Sequence, residues 1–456
     1  MISRGAAAAT PGQAWPETRT AWYAVAVFTL ALTFNQIDAN SVSLLVTPIK
    51  RDLHLSEFQV SLLQGFALVP FYLFVGIPLS RFVDWTSRKH MLAAAIGFWS
   101  LATAGCGVAQ GFWQLFLARF LIGAGESVNG PATYSMLADY FPPARLPRAI
   151  GVLQLGFIGG NALSFMGGGV ALGFLATLPD YAVPVIGTIH NWQLLFLFAG
   201  LPGLIVALLL LTLVEPPRRD RGAPPIRNAL REWGEVFGFL GGKWQVFVPM
   251  FVGLGLSSIS LFGTNQWLFT FFIRTYHWTP QQIGPALGTV QFFASLLGVL
   301  IGLAINHRFH AQGRDDTNLR VLILAQLIRV PVAIATPLMP DPWLAVLLNG
   351  VVNMSAMIGA PSQNAALQLV TPGRMRGRVT ALYLFMFTVV GSGIGPTFVA
   401  TITQYVLGAD DLLRYSLAIS AAILGPSAVT VLWLGVRPYG REIARLREIE
   451  IERSLP

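Results

Sequence analysis

The sequence predicts an all-α membrane protein of twelve transmembrane helices in two six-helix pseudo-repeats. Three observations carry that reading: long uncharged runs separated by short polar joints, a lopsided placement of Arg and Lys over alternate joints, and an echo of the first half in the second. Of 456 residues, 54% are hydrophobic and 11% charged, against roughly a quarter charged in an ordinary soluble domain. A single soluble core cannot absorb that excess, so most of the chain has lipid as its solvent.

Residues 1–20 are Ala-rich and polar without an apolar core. They read as a cytoplasmic tail with no cleavable signal, the first span serving as its own targeting signal. That span, about 22–48, contains ionisable residues, as do those at about 112–138 and 319–340. Uncharged runs cover 58–80, 91–118, 149–179, 191–214, 244–273, 279–306, 342–373, 379–409 and 415–436, each long enough to cross about 30 Å of hydrocarbon. The run 91–118 must end one helix and begin another, and Ala109-Gln110-Gly111 supplies the turn. The expected organisation is a six-helix bundle over 21–214, a cytoplasmic linker over 215–243, a second bundle over 244–436 and a cytoplasmic tail over 437–456. The linker opens Glu215-Pro216-Pro217 and carries Pro224-Pro225, so it reads as solvated chain with a short surface helix near 228–237. The lone cysteine, Cys106, excludes an intramolecular disulfide and reads as a small packing residue.

With a cytoplasmic start, one set of joints collects Arg81, Arg88, Lys89, Arg145, Arg148, the arginines of the linker and tail, and Arg374, Arg376 and Arg378. The other set has only Lys50, Arg51, Arg274 and Arg414. The positive-inside rule then puts both termini in the cytoplasm, and the lack of an organellar presequence points to a bacterial inner (plasma) membrane. The same rule accounts for the net charge of +9. The basic residues are spread over joints rather than gathered on one groove, so no nucleic-acid partner is expected. All six histidines fall near span ends, and no metal, cofactor or nucleophile constellation emerges; an enzyme is not expected.

The internal echo is most visible after spans four and ten, where Pro143-Ala144-Arg145-Leu146-Pro147-Arg148 is matched by Pro372-Gly373-Arg374-Met375-Arg376-Gly377-Arg378. Glycines follow in both next spans, at Gly156, Gly159 and Gly160 and at Gly391, Gly393 and Gly395. Small residues let helices approach closely in lipid, which is their default use. Parallel repeats of this kind build carriers whose solute site lies between two halves near the bilayer midplane.

Several motifs resemble those of the major facilitator superfamily, and more narrowly its spinster-like branch. Asn35-Gln36-Ile37-Asp38 with Ser43 to Lys50 resembles the branch's Asp-containing first span, and Gln64-Gly65-Phe66-Ala67 its second. Gly76 to Lys89, containing Arg81-Phe82-Val83-Asp84, is similar to the superfamily's signature loop between spans two and three. Arg119-Phe120-Leu121-Ile122-Gly123-Ala124-Gly125-Glu126 with Asp139-Tyr140-Phe141-Pro142 resembles its fourth-span motif. The sequence departs from the family at Ala39, where Arg usually follows the first-span Asp, at Trp85, and at Asn306-His307-Arg308, where an acidic residue is typical. The resemblance implies a secondary transporter working by alternating access on lysolipids, sphingoid phosphates or other amphipathic organic ions. It also implies that spans one and four line a central cavity.

Four ionisable residues fall well inside spans, Asp38, Arg119, Glu126 and Arg329, and such charges are functional candidates by default. Asp38 and Arg119 lie at similar depth, roughly 10 Å below the outer surface at 1.5 Å per residue, near enough to pair. Glu126 follows seven residues after Arg119 on the same helical face. The expectation is proton coupling: substrate competes for Arg119, Asp38 takes up a proton, and Glu126 is a deeper acceptor. Asn35, Gln64, Asn129, Tyr134, Asn265, Gln266 and Asn353 are expected to add neutral hydrogen-bonding groups to the substrate site, with half such groups simply joining helices. In the resembled fold, Arg81, Asp84, Arg88 and Asp139 meet at a cytoplasmic gate. Arg329 reads as structural, reaching polar groups on a neighbouring span. The expected partners are a small-molecule substrate, protons and the lipid bilayer, with the protein a monomer. The main alternative cargo is a hydrophilic organic acid, such as a sugar acid or aromatic carboxylate, imported with protons. From another class, the alternative is a non-transporting membrane sensor, for which linker and tail are too short to add a signalling domain.

Overall fold

The computed structural model of the chain describes residues 15–71, 86–184, 187–218, 229–311 and 316–454. Of the described helices, nine are long and apolar enough to cross a membrane. In the first half these include α1 (Thr18–Leu44), followed by short α2 (Val46–Asp52) and α3 (Glu57–Gln64). A capping box opens α3: Ser56 Oγ accepts the Gln59 N–H at 3.1 Å, and the Gln59 side chain accepts the Ser56 N–H at 2.9 Å. A 3-10 turn (Phe66–Leu68) and a helical turn (Val69–Phe71) continue it, and the expected second span beyond residue 71 lies outside the described residues.

Next come α4 (Arg88–Cys106), α5 (Phe112–Tyr140), α6 (Leu146–Leu175) and α7 (Leu194–Leu211). α4 and α5 are as long as spans, but the charged first turn of one and the Arg119, Glu126 and Asp139 of the other make them less apolar than the nine. The second half runs through α8 (Ala229–Gly242), α9 (Trp244–Tyr276), α10 (Pro280–Ala311), α11 (Thr317–Ala335), α12 (Pro342–Leu369), α13 (Arg376–Thr401) and α14 (Leu413–Ser454). At α12, Pro342 occupies the first turn, where its missing N–H costs nothing, and Asp341 caps the Leu344 N–H at 2.7 Å. Two histidines at helix ends take left-handed backbone, His54 (φ 52°) and His277 (φ 55°), the latter closing α9.

The chain divides into two compact units, Met1–Ile226 with Trp278–Gly288, and Arg227–His277 with Thr289–Pro456. In the first, α1 packs on α6 and α7, and α4 packs on α5 and α7. In the second, α9 packs on α13 and α14, and α11 packs on α12 and α14. The same packing device recurs in each. A Cβ on Gly156 would meet the Thr29 carbonyl oxygen at 2.6 Å, and one on Gly160 would meet Thr33 Cα at 2.9 Å. In the second unit, a Cβ on Gly391 would lie 2.9 Å from Ser258 Cβ, and one on Gly395 would lie 2.7 Å from the Gly263 nitrogen. Glycine is what lets α6 lie against α1, and α13 against α9, backbone to backbone. Gly159 faces open space instead.

Large apolar side chains stand exposed along these helices, Phe198, Leu208 and Ile205 on α7 among them. That is the pattern of a helix whose outer face meets lipid rather than water. Arg329 lies buried on α11 and donates to Ser257 of α9, to its carbonyl at 3.2 Å and its hydroxyl at 3.0 Å, with Gln326 on the same hydroxyl. A guanidinium in oil is thereby given acceptors by its neighbour helix.

A feature the all-α reading did not contain is a two-stranded antiparallel hairpin between α6 and α7, β1 (Tyr181–Val183) and β2 (Gly187–Ile189). Gly187 has φ 106°, a conformation open to glycine at the turn. Beside the hairpin, His190 Nδ1 lies 2.9 Å from Asp180 Oδ2 and 3.7 Å from Asp52 Oδ2. Asp180 Oδ1 accepts the Asn191 N–H at 2.9 Å, and Trp192 Nε1 donates to Asp52 Oδ2 at 2.8 Å. The bond to His190 and then that from the Asn191 N–H hold the Asp180 carboxyl below the ordinary carboxylate value. Burial opposes ionisation of Asp52, yet the hydrogen bonds from Arg51 and Trp192 leave it below that value as well.

Candidate substrate and proton site

The carboxylate of Asp38 on α1 and the guanidinium of Arg119 on α5 are brought together in the interior of the first unit, 2% and 0% exposed. Arg119 Nη1 lies 3.9 Å from Asp38 Oδ1 and donates to the Asp38 carbonyl at 3.4 Å. Among the described residues, neither carboxylate oxygen of Asp38 has a hydrogen-bond partner, and neither do Nε and Nη2 of Arg119. Thr103 and Cys106 of α4 flank the pair, but the Thr103 hydroxyl is committed to the Trp99 carbonyl at 3.0 Å. Two buried opposite charges that attract without closing their hydrogen bonds keep donors and acceptors in reserve. A fixed structural pair would be expected to close them, because desolvating each ion costs several kcal/mol, roughly, in the interior.

Glu126, further along α5, is also buried and accepts from Asn35 Nδ2 of α1 at 2.7 Å. Asn129 is buried on the next turn and accepts from the Thr133 hydroxyl at 3.2 Å. Gln64 is buried at the end of α3, whereas Tyr134 is 45% exposed on α5. Thus α1 and α5 together position Asp38, Arg119, Asn35 and Glu126. In the second unit Gln266 is buried and Asn265 half-buried on α9. Asn353 of α12 is half-buried and donates to both oxygens of Asn349, its carbonyl and Oδ1, at 3.1 Å each. Gln291 Nε2 of α10 also donates to Asn349 Oδ1, at 3.1 Å. Asn349 and Gln291 were not singled out from the sequence. The spacing of Asn349 and Asn353, one helical turn apart on one face, is the signal that marks them.

Of the residues expected at a cytoplasmic gate, Arg81 and Asp84 lie outside the described residues. Arg88 and Asp139 meet: Nη1 lies 2.5 Å from Asp139 Oδ2, and Arg88 is 2% exposed. The same Nη1 also donates to the Ser135 hydroxyl at 3.0 Å. Glu215 completes the arrangement, accepting from the Arg88 N–H at 2.8 Å, from its Nε at 3.4 Å and from the Ser87 hydroxyl. Arg88 Nη2 donates to the Pro216 carbonyl at 3.0 Å, and Tyr140 OH to the Val214 carbonyl at 2.5 Å. The start of the segment expected to be a solvated linker is therefore docked on the ends of α4 and α5. The cause is Arg88, whose five donors need more acceptors than Asp139 provides. The clue was a single acid placed between an apolar run and a Pro/Arg stretch.

The model of one family, described as the Major Facilitator Superfamily, matches residues 28–396. The chain belongs to the Major Facilitator Superfamily. This is a family of transporters and not of enzymes, and the chain is a multi-pass membrane protein of that kind with the family's helical fold. An MFS-type efflux pump of Mycolicibacterium smegmatis is 28% identical to it over 437 residues, 93% of this chain and 95% of the pump. Protein spinster homolog 1 of Homo sapiens is 28% identical over 221 residues, 46% of this chain but 38% of that protein. A crystal structure of a bacterial homolog to the human lysosomal transporter Spinster, inward-facing and unoccupied, is similar with a TM-score of 0.73 at 22% identity. That similarity covers 94% of this chain and 98% of the other and shows the shared fold. This Major Facilitator Superfamily transporter thus has spinster homologues among its similar relatives in sequence and in structure.

Proposed function

We propose that this secondary transporter moves a small amphipathic or anionic organic solute by alternating access, coupled to protons through Asp38. One observation carries the reading: the loose, fully buried pair of Asp38 and Arg119, with unused hydrogen-bonding atoms on both side chains. An anionic headgroup takes the spare donors of Arg119. Asp38 then loses the cation that favours its ionised form and accepts a proton, because a carboxyl's protonation follows the charge beside it. Glu126, held by Asn35, is the second proton acceptor, and Asn129, Gln64 and Tyr134 add polar contacts. Within the second unit, Asn265, Gln266 and Asn353 are proposed as neutral hydrogen-bonding groups of the same kind. The cluster of Arg88, Asp139 and Glu215 acts as a cytoplasmic latch.

The rest of the proposal follows the sequence: twelve spans, both termini cytoplasmic, a bacterial inner membrane and a monomer. The full-length similarity to an efflux pump supports outward movement. The test is flux in proteoliposomes under an imposed pH gradient, comparing a lysolipid with a hydrophilic organic acid. Lysolipid flux driven by the gradient, lost in Asp38→Asn, is the expected result. Gradient-driven flux of unchanged size in a well-expressed Asp38→Asn protein would reject the coupling role.

A further inference from the structure

Where α12 passes into α13, two adjoining hollows of about 420 and 300 Å³ share Leu369 and Arg376 as walls. These volumes reach the range of small-ligand sites, roughly 300–1,000 Å³. The larger is completed by the turn Thr371-Pro372-Gly373 and by Leu446 and Ile449 of the α14 tail. The smaller extends to Gln368 and to Asn318 at the start of α11. None of these residues belongs to the Asp38 and Arg119 site.

The chemistry of the walls is divided. Arg376 Nε is fixed on the Thr371 carbonyl at 3.1 Å, which orients the remaining guanidinium donors, and among the described residues no carboxylate pairs with it. Asn318 is 2% exposed, and its Oδ1 has no hydrogen-bond partner among the described residues. Its neighbour Tyr439 is fully buried, and Asn318 is the side chain that approaches its hydroxyl. Leu369, Leu446 and Ile449 supply the apolar part. The stretch 372–378 adds Arg374 and Arg378 in sequence with no acid, and on the α14 tail Glu442 is already held by Lys243 at 2.5 Å, leaving Glu448 and Glu450, which flank Ile449, as the nearest acids in sequence.

We propose that these hollows form a binding site for an anionic glycerophospholipid. Arg376 receives the phosphate, Asn318 accepts from a headgroup hydroxyl, and Leu369, Leu446 and Ile449 hold the first part of the acyl chains. The guanidinium fork suits a phosphate better than a point charge would. A free phosphate would leave the apolar walls unused. The site also lies where two membrane-crossing helices meet end to end, which is where lipid headgroups would approach them.

The test uses the full-length protein in neutral detergent, titrated with short-chain phosphatidylglycerol, short-chain phosphatidylcholine or inorganic phosphate, with binding read by native mass spectrometry. Phosphatidylglycerol is expected to bind best, to weaken about tenfold or more in Arg376→Ala and less in Arg376→Lys, and to weaken in Leu446→Ser. If Arg376→Ala does not fold, Arg376→Lys and Leu446→Ser decide. Equal binding of phosphatidylcholine, unchanged phosphatidylglycerol binding in the variants, or inorganic phosphate displacing the lipid at equal concentration overturns the assignment. The last outcome would instead mark a free-anion site. No transport is measured, so the result is independent of the proton-coupling proposal.

Discussion

Glu215 grips Arg88 twice, through the backbone N–H at 2.8 Å and through Nε at 3.4 Å, while Asp139 takes the other edge of the same guanidinium at 2.5 Å. A residue after the last helix of the first unit thereby ties down the start of α4. Truncation in Glu215→Ala leaves donors of a buried cation without an acceptor, a cost of about 1–3 kcal/mol. The expected outcome is a lower unfolding temperature in detergent, with turnover reduced more than surface expression. Equal loss of both would assign the cluster to folding alone.

For the central pair, the two single variants are expected to differ from the double. Arg119→Met leaves Asp38 buried without its cation, and destabilisation of about 3–5 kcal/mol is expected. Asp38→Asn combined with Arg119→Met removes both charges and is expected to recover most of that loss. Thermal unfolding of the unmodified protein, the two single variants and the double variant measures the coupling as a double-mutant cycle. Additive losses would mean that the two side chains do not sense one another.

At Gly160 the α1 backbone leaves no space for a side chain, whereas Gly159 on the neighbouring face is open. Gly160→Val is expected to lose about 1–3 kcal/mol through overpacking or displacement of α1, and Gly159→Ala to change little. Comparison of yields and unfolding temperatures for the two variants checks the assignment of this glycine to packing.

The hairpin cluster makes stability depend on pH in a definite direction. Asp180 ionises more readily in the folded chain than in the unfolded one. Its contribution is therefore present above the ordinary carboxylate value and is lost as pH falls through its lower folded value. Since the side chain is 45% exposed, the effect is small. Unfolding temperatures measured from neutral to acid pH should fall less steeply for Asp180→Asn than for the unmodified protein, and identical slopes would exclude a contribution.

Hydrophobic runs and charge placement made the long helices legible, because lipid punishes a charge wherever it lies and so writes span positions directly into the sequence. The turn at Ala109-Gln110-Gly111 falls between α4 and α5. That Asp38 and Arg119 lie near enough to meet was readable from helical rise alone. The hairpin was not, since Tyr181 to Val183 and Gly187 to Ile189 are too short for a period-2 pattern to stand out. Nor was Glu215, whose role depends on how many acceptors a distant Arg88 lacks, a quantity that only the folded chain defines. The partner of Arg329 was hidden for the same reason: Ser257 is one unremarkable hydroxyl among many on α9.

The closing helix, α14, is 42 residues long, or about 63 Å at 1.5 Å per residue, roughly twice the thickness of a hydrocarbon layer. Its outer portion therefore behaves as a lever fixed to the second unit through the Lys243 and Glu442 contact. The arm beyond Glu442 is about 18 Å long, so a spin label or fluorophore near Ser454 would translate a tilt of about twenty degrees at the base into about 6 Å of travel at the tip, and the working stroke could be watched from the tail without touching the cargo site.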